Sequence, residues 1–189
     1  MRFEGTYQGR GASGIVFRTQ EGKALKIYRP GVDCEHLSKK ERYGLSLLYS
    51  QGINVPRPYE EVRVTLSSDQ LDQLPWRLRR AFRSKEHPAL LREYIEGKIL
   101  TDYFFPSKRR WQNFVLLNDR ILELGYVPDE LGYHPENYIA TPDDVVYLID
   151  VEKMGRITDR SELLSRRESM LKTPCSGLAD LLDALFPFF

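Results

Sequence analysis

The stretch Gly9-Arg10-Gly11-Ala12-Ser13-Gly14-Ile15-Val16 fits the pattern G-x-G-x-x-G-x-V, and its surroundings decide how it is read. Residues 3 to 28 alternate apolar and polar around two glycine-containing turns. The alternation predicts a β-meander of Phe3–Tyr7, Ile15–Arg18 and Ala24–Tyr28. The glycines therefore fall between two strands instead of between a strand and a helix, which decides against a dinucleotide-binding fold. Lacking side chains, Gly9, Gly11 and Gly14 let a hairpin turn lie close over phosphates and present backbone N–H groups to them, and Val16 on the following strand can roof a purine. From these eight residues alone, an ordinary glycine-rich hairpin is the better reading.

A helix is expected over residues 34–51, with Leu37, Leu45 and Leu48 on one stripe, Gly52 as its stop, and Pro56 and Pro58 keeping it stopped. The same stripe carries Glu41, so a carboxylate faces inward. On the third strand, side chains alternate with period two, which puts Ala24 and Lys26 on one face. Lys26 is then aimed at an apolar interior, where an ammonium needs a partner, and Glu41 is the obvious one.

Farther along, Val62, Val64 and Leu66 alternate as a strand and Leu91–Ile95 reads as another before Gly97. Between them, Leu71, Leu74, Leu78 and Phe82 recur at helical spacing and predict one inserted helix within about 68–86. A second long helix is expected over 107–124, with Trp111, Phe114, Leu117, Ile121 and Leu124 on one side and Gly125 at its end. A loop over 125–136 leads to a hairpin of Tyr138–Ala140 and Val145–Ile149, followed by short helices at 160–171 and 177–185.

Four blocks in this order resemble the protein-kinase-like superfamily. Gly9–Val16 is similar to its glycine-rich loop, Ala24-Leu25-Lys26 to V-A-I-K, and Leu91-Arg92-Glu93-Tyr94-Ile95-Glu96-Gly97 to the strand and hinge that join its two lobes. The most specific block is His134-Pro135-Glu136-Asn137 with Asp150 thirteen residues after Asn137, which resembles the end of the catalytic loop and the metal-binding Asp of D-F-G. Asp150-Val151-Glu152 is more similar to the D-[FW]-E of aminoglycoside and choline phosphotransferases. The resemblance covers about residues 9–155 and is closest to a minimal bacterial, eukaryotic-like or RIO-like small kinase. It implies an α+β, kinase-like bilobal fold: a single domain with an antiparallel N-lobe sheet over 1–94, including the helical insert, and a truncated helical C-lobe over 95–189.

The implied function is that of an ATP-dependent phosphotransferase of serine/threonine type, passing the γ-phosphoryl group to a hydroxyl of a protein or a small molecule. Gly9, Gly11, Gly14, Val16 and Ala24 would surround ATP, Lys26 would hold its phosphates with Glu41 orienting the ammonium, and the Glu93 carbonyl and Ile95 N–H would read adenine. Asn137 and Asp150 would hold Mg²⁺, a hard cation that takes oxygen ligands. One departure is serious: the superfamily's catalytic Asp stands five residues before the metal-binding Asn, and here that position is Gly132. The stretch Gly125–Tyr133 looks like the family's approach to the loop with two residues added, which brings Glu130 or Asp129 forward as a displaced base. The alternative is a pseudokinase, a nucleotide-binding regulatory scaffold without the usual catalytic Asp. Arg92, expected to face the back of the nucleotide pocket, is an unusual residue there.

Composition sets the outer bounds. The chain has 189 residues with 41% hydrophobic and 29% charged, which excludes a collagen, a low-complexity segment or a disulfide-dense scaffold. With 28 Lys+Arg against 27 Asp+Glu, no global field steers it toward nucleic acid or an anionic membrane. The basic runs Arg77, Arg79, Arg80, Arg83, Lys85 and Lys108-Arg109-Arg110, near Trp76 and Trp111, read first as solvated helix faces, with RNA or an acidic partner as the alternative. Neither a secretory leader nor an 18-residue apolar stretch is present, so a cytoplasmic protein without a membrane span is expected. Cys34 and Cys175 have no metal-ligand spacing with each other or with the histidines, so free thiols are expected and zinc is not.

Overall fold

Alternation in the N-terminal segment does build a meander: β1 (Gly5–Arg10), β2 (Gly14–Thr19) and β3 (Lys23–Tyr28) pair antiparallel in sequence. The computed structural model of the chain describes residues 2–30, 33–83, 85–100, 107–128, 134–157 and 159–171. It is an α+β structure that divides into two units, residues 1–50 with 56–95 and residues 51–55 with 96–189.

In the first unit, α1 (Cys34–Ser50) leaves β3 and ends where Gly52 takes φ +70°, a left-handed conformation that costs glycine little. The chain returns as β4 (Pro58–Val64) and β5 (His87–Glu93), and the antiparallel sheet has the order β1-β2-β3-β5-β4. β3 is thus central, and every residue from Ala24 to Tyr28 is buried.

Register explains how each sheet face is used. Leu25 lies between Phe17 and Leu91, and Ile27 between Ile15 and Ala89, so these six side chains share a face. They form one apolar cluster with Val64, Leu66, Leu74, Leu78 and Phe82. Phe3 and Tyr7 extend it with edge-on contacts to Phe17, at centroid distances of 5.4 and 5.8 Å. The insert therefore supplies three of this core's eleven buried side chains, Leu74, Leu78 and Phe82. It is two helices where one was expected: α2 (Ser68–Asp72) and α3 (Trp76–Phe82) break at Pro75, which has no N–H for a continuing helical bond and stands as the cap of α3. α2 starts with a capping box of Ser67 and Gln70. The Gln70 amide donates to the Phe3 carbonyl at 2.8 Å, and Gln73 Oε1 accepts the Tyr7 N–H at 2.8 Å, so the insert also occupies polar groups along β1.

In the second unit, β6 (Lys98–Ile99), β8 (Tyr138–Ala140) and β9 (Val146–Leu148) make a three-stranded sheet in that order, and β7 (Tyr126–Val127) pairs with β10 (Gly155–Arg156). β7 lies in what was expected to be loop. α4 (Lys108–Glu123) buries Trp111, Phe114, Leu117 and Ile121 as its periodicity predicts, whereas Leu124 caps the helix and is 38% exposed. α5 (Arg160–Leu171) matches its expected bounds and ties to α4 through Arg167 Nε and Asp119 Oδ1 at 2.5 Å. The helix expected at 177–185 lies outside the described residues.

Other strand ends moved by a few residues. The first strand runs over 5–10, where 3–7 was expected, and the fifth is 87–93, where 91–95 was expected. Both shifts follow pairing partners that a single sequence does not display. His87, buried on β5 against the Phe82 ring at 5.0 Å, donates from Nε2 to the Phe82 carbonyl at 3.3 Å. Burial holds its pKa below the ordinary 6.5, and the nearby Lys85 pushes the same way against the carbonyl bond. Since the unfolded chain then binds the proton more readily, stability is full above about pH 6.5 and declines as pH falls toward the folded value. Urea unfolding between pH 7.5 and 5 should show this decline, at a slope of at most about 1.4 kcal/mol per pH unit from this group, and His87→Gln should flatten it.

Candidate functional site

Lys26 and Glu41 meet as the sequence predicts. Lys26 Nζ donates to Glu41 Oε2 at 2.6 Å, with the lysine 4% and the glutamate 0% exposed. On β3, Lys26 stands between Val16 of β2 and Leu90 of β5, on the sheet face opposite the apolar cluster. Glu41 reaches it from the buried stripe of α1, which consists of Ser38, Glu41, Gly44, Leu45 and Leu48, with Leu37 only half-buried. Small residues at 38 and 44 allow the helix to lie close to the sheet.

Two further donors converge on the same carboxylate. Tyr28 Oη donates to Oε2 at 2.7 Å, and Arg92 Nη1 donates to Oε1 at 2.8 Å. Lys26 Nζ also stands 5.4 Å from the centre of the Tyr28 ring. Tyr28 was missed in the sequence, although its place two residues after Lys26 puts it on the same face. Arg92 was singled out without a partner. Its pairing opposite Ala24 places it on that face as well, and its guanidinium turns toward α1.

The glycine-rich stretch is the turn between β1 and β2, closed by the Gly11 N–H to the Gly14 carbonyl at 2.9 Å. Its glycines do different jobs. A Cβ on Gly14 would stand 2.2 Å from the Ile27 carbonyl oxygen, so close packing of β2 on β3 requires glycine there. Around Gly9 and Gly11 no described atom lies within 4 Å of an added Cβ. Val16 is half-buried beside Lys26 and Ala24 is buried. At the end of β5, the Glu93 N–H donates to the Arg57 carbonyl at 2.9 Å, and Glu93 Oε2 accepts the Arg57 N–H at 3.1 Å. Ile95 follows the strand and is 8% exposed.

In the second unit, Asn137 closes a 3₁₀ turn, Pro135–Asn137, directly before β8, and Asp150 comes two residues after β9. Tyr138 pairs with Leu148, and the Ile149 N–H donates to the Asn137 carbonyl at 2.7 Å. The hairpin thus brings Asn137 and the residue before Asp150 together at its open end. The Asp150 carboxylate accepts the Glu152 N–H at 3.3 Å. Tyr138, next to Asn137, donates from Oη to Asn118 Oδ1 at 2.6 Å, and Asn118 Nδ2 donates to the Phe114 carbonyl at 2.8 Å, so α4 fixes this strand.

The hairpin's other end is also held. Asp144 in the turn accepts from Ser107 Oγ at 3.0 Å and Arg110 Nε at 2.9 Å, while its carbonyl accepts from Asn113 Nδ2 at 2.9 Å. The Ser107 hydroxyl above all, with help from Arg110, lowers the Asp144 pKa below the usual carboxylate value against the opposing effect of burial. Asp129, Glu130 and Gly132 lie outside the described residues.

The basic runs divide. Arg77, Arg79 and Arg80 are exposed on α3, with Arg79 held by Asp72, and Trp76 is exposed beside Arg77. Trp111, by contrast, is buried core, and Arg110 is engaged by Asp144, while Lys108 and Arg109 are exposed as a solvated helix face would be. Among the described residues Cys34 is a free thiol, and no described helix is long and apolar enough to cross a membrane. The chain matches no protein-family model and no characterised protein by sequence.

The two kinds of glycine separate in a direct test. Gly14→Ala should cost about 1–3 kcal/mol in chemical denaturation, because backbone of β3 must move. Gly11→Ala should stay within about 0.5 kcal/mol of the parent.

Proposed function

We propose that this chain is an ATP-dependent phosphotransferase of kinase-like organisation, with the first unit as its N-lobe and the second as a short C-lobe. The observation that carries the reading is the buried Lys26–Glu41 ion pair on the strand that follows a glycine-rich turn. A lysine is costly to bury, and a chain needing only a packed core would place an apolar residue between Val16 and Leu90. Holding the phosphates of ATP is a use that accounts for the cost. The Gly9–Gly14 turn would present N–H groups to the same phosphates, and among the described residues nothing lies within 4 Å of a Cβ placed on Gly9 or Gly11, which fits that task.

In the second unit, an amide oxygen at Asn137 and a carboxylate at Asp150 form a donor pair that suits Mg²⁺. When bound there, Mg²⁺ would supply charge neutralisation at the transferring phosphoryl group. The chain's own residues have the remaining work: Glu41 orients the Lys26 ammonium, Glu93 and Ile95 offer backbone groups to adenine, and Glu130 or Asp129 takes the proton of the acceptor hydroxyl. Phosphoryl transfer rests mainly on positioning and electrostatics, with a general base typically adding 10²–10⁴-fold. The substrates are ATP and a hydroxyl on a protein or small molecule.

A second reading, a pseudokinase that binds nucleotide and regulates a partner, is favoured by Gly132 at the place of the usual catalytic Asp. Mg²⁺-dependent thermal stabilisation by ATP, followed by an assay for phosphoryl transfer, separates the two. Binding with turnover supports the enzyme, binding alone supports the pseudokinase, and no stabilisation at millimolar Mg-ATP overturns both.

Asp150→Ala should abolish the Mg²⁺ dependence of ATP binding, whereas Asp143→Ala, an exposed carboxylate of the hairpin turn, should preserve it. Equal effects would count against Asp150 as a ligand. Of Glu130→Ala and Asp129→Ala, one should lower turnover by at least about 10²-fold with ATP binding retained, because a base acts in the transition state.

A further inference from the structure

Glu41 has two carboxylate oxygens, and different strands use them. Oε2 takes Lys26 and Tyr28 from β3, while Oε1 takes Arg92 from β5. Arg92 is 5% exposed and makes its bond across the α1–sheet packing, so α1 is tied to the sheet at two neighbouring strands by cations of different kinds. A lysine that holds phosphates shares its ammonium between them and its carboxylate when nucleotide binds. With Lys26 as sole cation, that would leave a buried charge poorly compensated, and nucleotide affinity would fall by the cost.

We propose that Arg92 is a positioning residue: it keeps Glu41 charged, paired and docked on the sheet independently of Lys26, so that Lys26 can turn to a phosphate without releasing α1. The use of Lys26 in this proposal rests on the phosphotransferase reading, but the tie from Arg92 to α1 does not. Arg92 touches no phosphate in this scheme and acts only through Glu41. Arginine suits the post because its guanidinium keeps its charge on burial and its donors are set in a rigid fork.

Amide hydrogen exchange across α1 in the full chain tests the tie without any ligand. Lys26→Met and Arg92→Met should each keep residues 38–48 protected, because one cation remains, whereas the double variant should lose at least tenfold in protection. Glu41→Gln added to the double variant should restore it, since a neutral amide needs no cation, and it serves also where the double variant folds poorly. Loss of protection in Lys26→Met equal to that in the double variant would overturn the tie.

The nucleotide arm reads something that plain packing would not move. Mg-ATP should leave α1 protection of the parent unchanged but lower it in Arg92→Met, and Arg92→Met should weaken Mg-ATP binding at least tenfold. In a Glu41→Gln background the same substitution should change binding less than threefold. Equal losses in both backgrounds would mean that Arg92 does not act through Glu41. If the parent ignores Mg-ATP, the phosphotransferase reading fails and with it the role given to Lys26, while the exchange data still decide the tie.

Discussion

A carboxylate with no exposed surface constrains the first unit more than any other group. Burying an isolated charge costs several kcal/mol even after relaxation, so Glu41 is tolerable only where donors meet it. Lys26, Tyr28 and Arg92 do so from two adjacent strands. α1 is therefore fixed both in rotation and along its axis: a turn about the axis or a slide of one residue would strip the carboxylate of its partners. Apolar contacts at Leu45 and Leu48 press the helix onto the sheet but allow several registers, whereas the charged cluster selects one.

Placing that cluster on one face makes the opposite face carry the core. Leu25 and Ile27 alternate with Lys26, so a β3 that presents its lysine to α1 must present its large apolar residues to the other side. Left open, that face would expose a contiguous row of apolar side chains to water. The insert covers it with Leu74, Leu78 and Phe82, and its arginines stay on the outer side as an amphipathic pattern requires. Charge on α3 is thus accounted for by its need for a solvated face.

Much of this was legible from residue patterns alone. Period-two alternation found β1 to β3 and the inward Lys26, helical spacing found α1 and α4, and Glu41 on the apolar stripe of α1 gave the ion pair. What escaped depends on pairing across the chain. The start of β5 at His87 is set by its contacts with β4, and β7 exists only because Gly155–Arg156 returns to pair with it. The break at Pro75 was visible in the sequence but was outweighed by the leucine spacing, which persists because both short helices face the same cluster. Arg92 was conspicuous, yet its partner lies 51 residues away on a helix, and no local pattern connects them.

The second unit answers a different constraint, since Asn137 and Asp150, the residues proposed to hold Mg²⁺, flank a hairpin whose strands are only three residues long. Such short strands specify register weakly, and a slip of one residue would exchange the faces of every side chain and separate Asn137 from Asp150. Both ends are accordingly tied to α4: the turn through Asp144 to Ser107, Arg110 and Asn113, and the open end through Tyr138 to Asn118. Leu148 adds a bond from its N–H to the Asn54 carbonyl at 3.0 Å. None of these contacts involves Asn137 or Asp150 side chains. A hairpin needed only for packing would gain little from so many polar ties, whereas the proposed pair of Mg²⁺ donors would depend on a register that cannot slip.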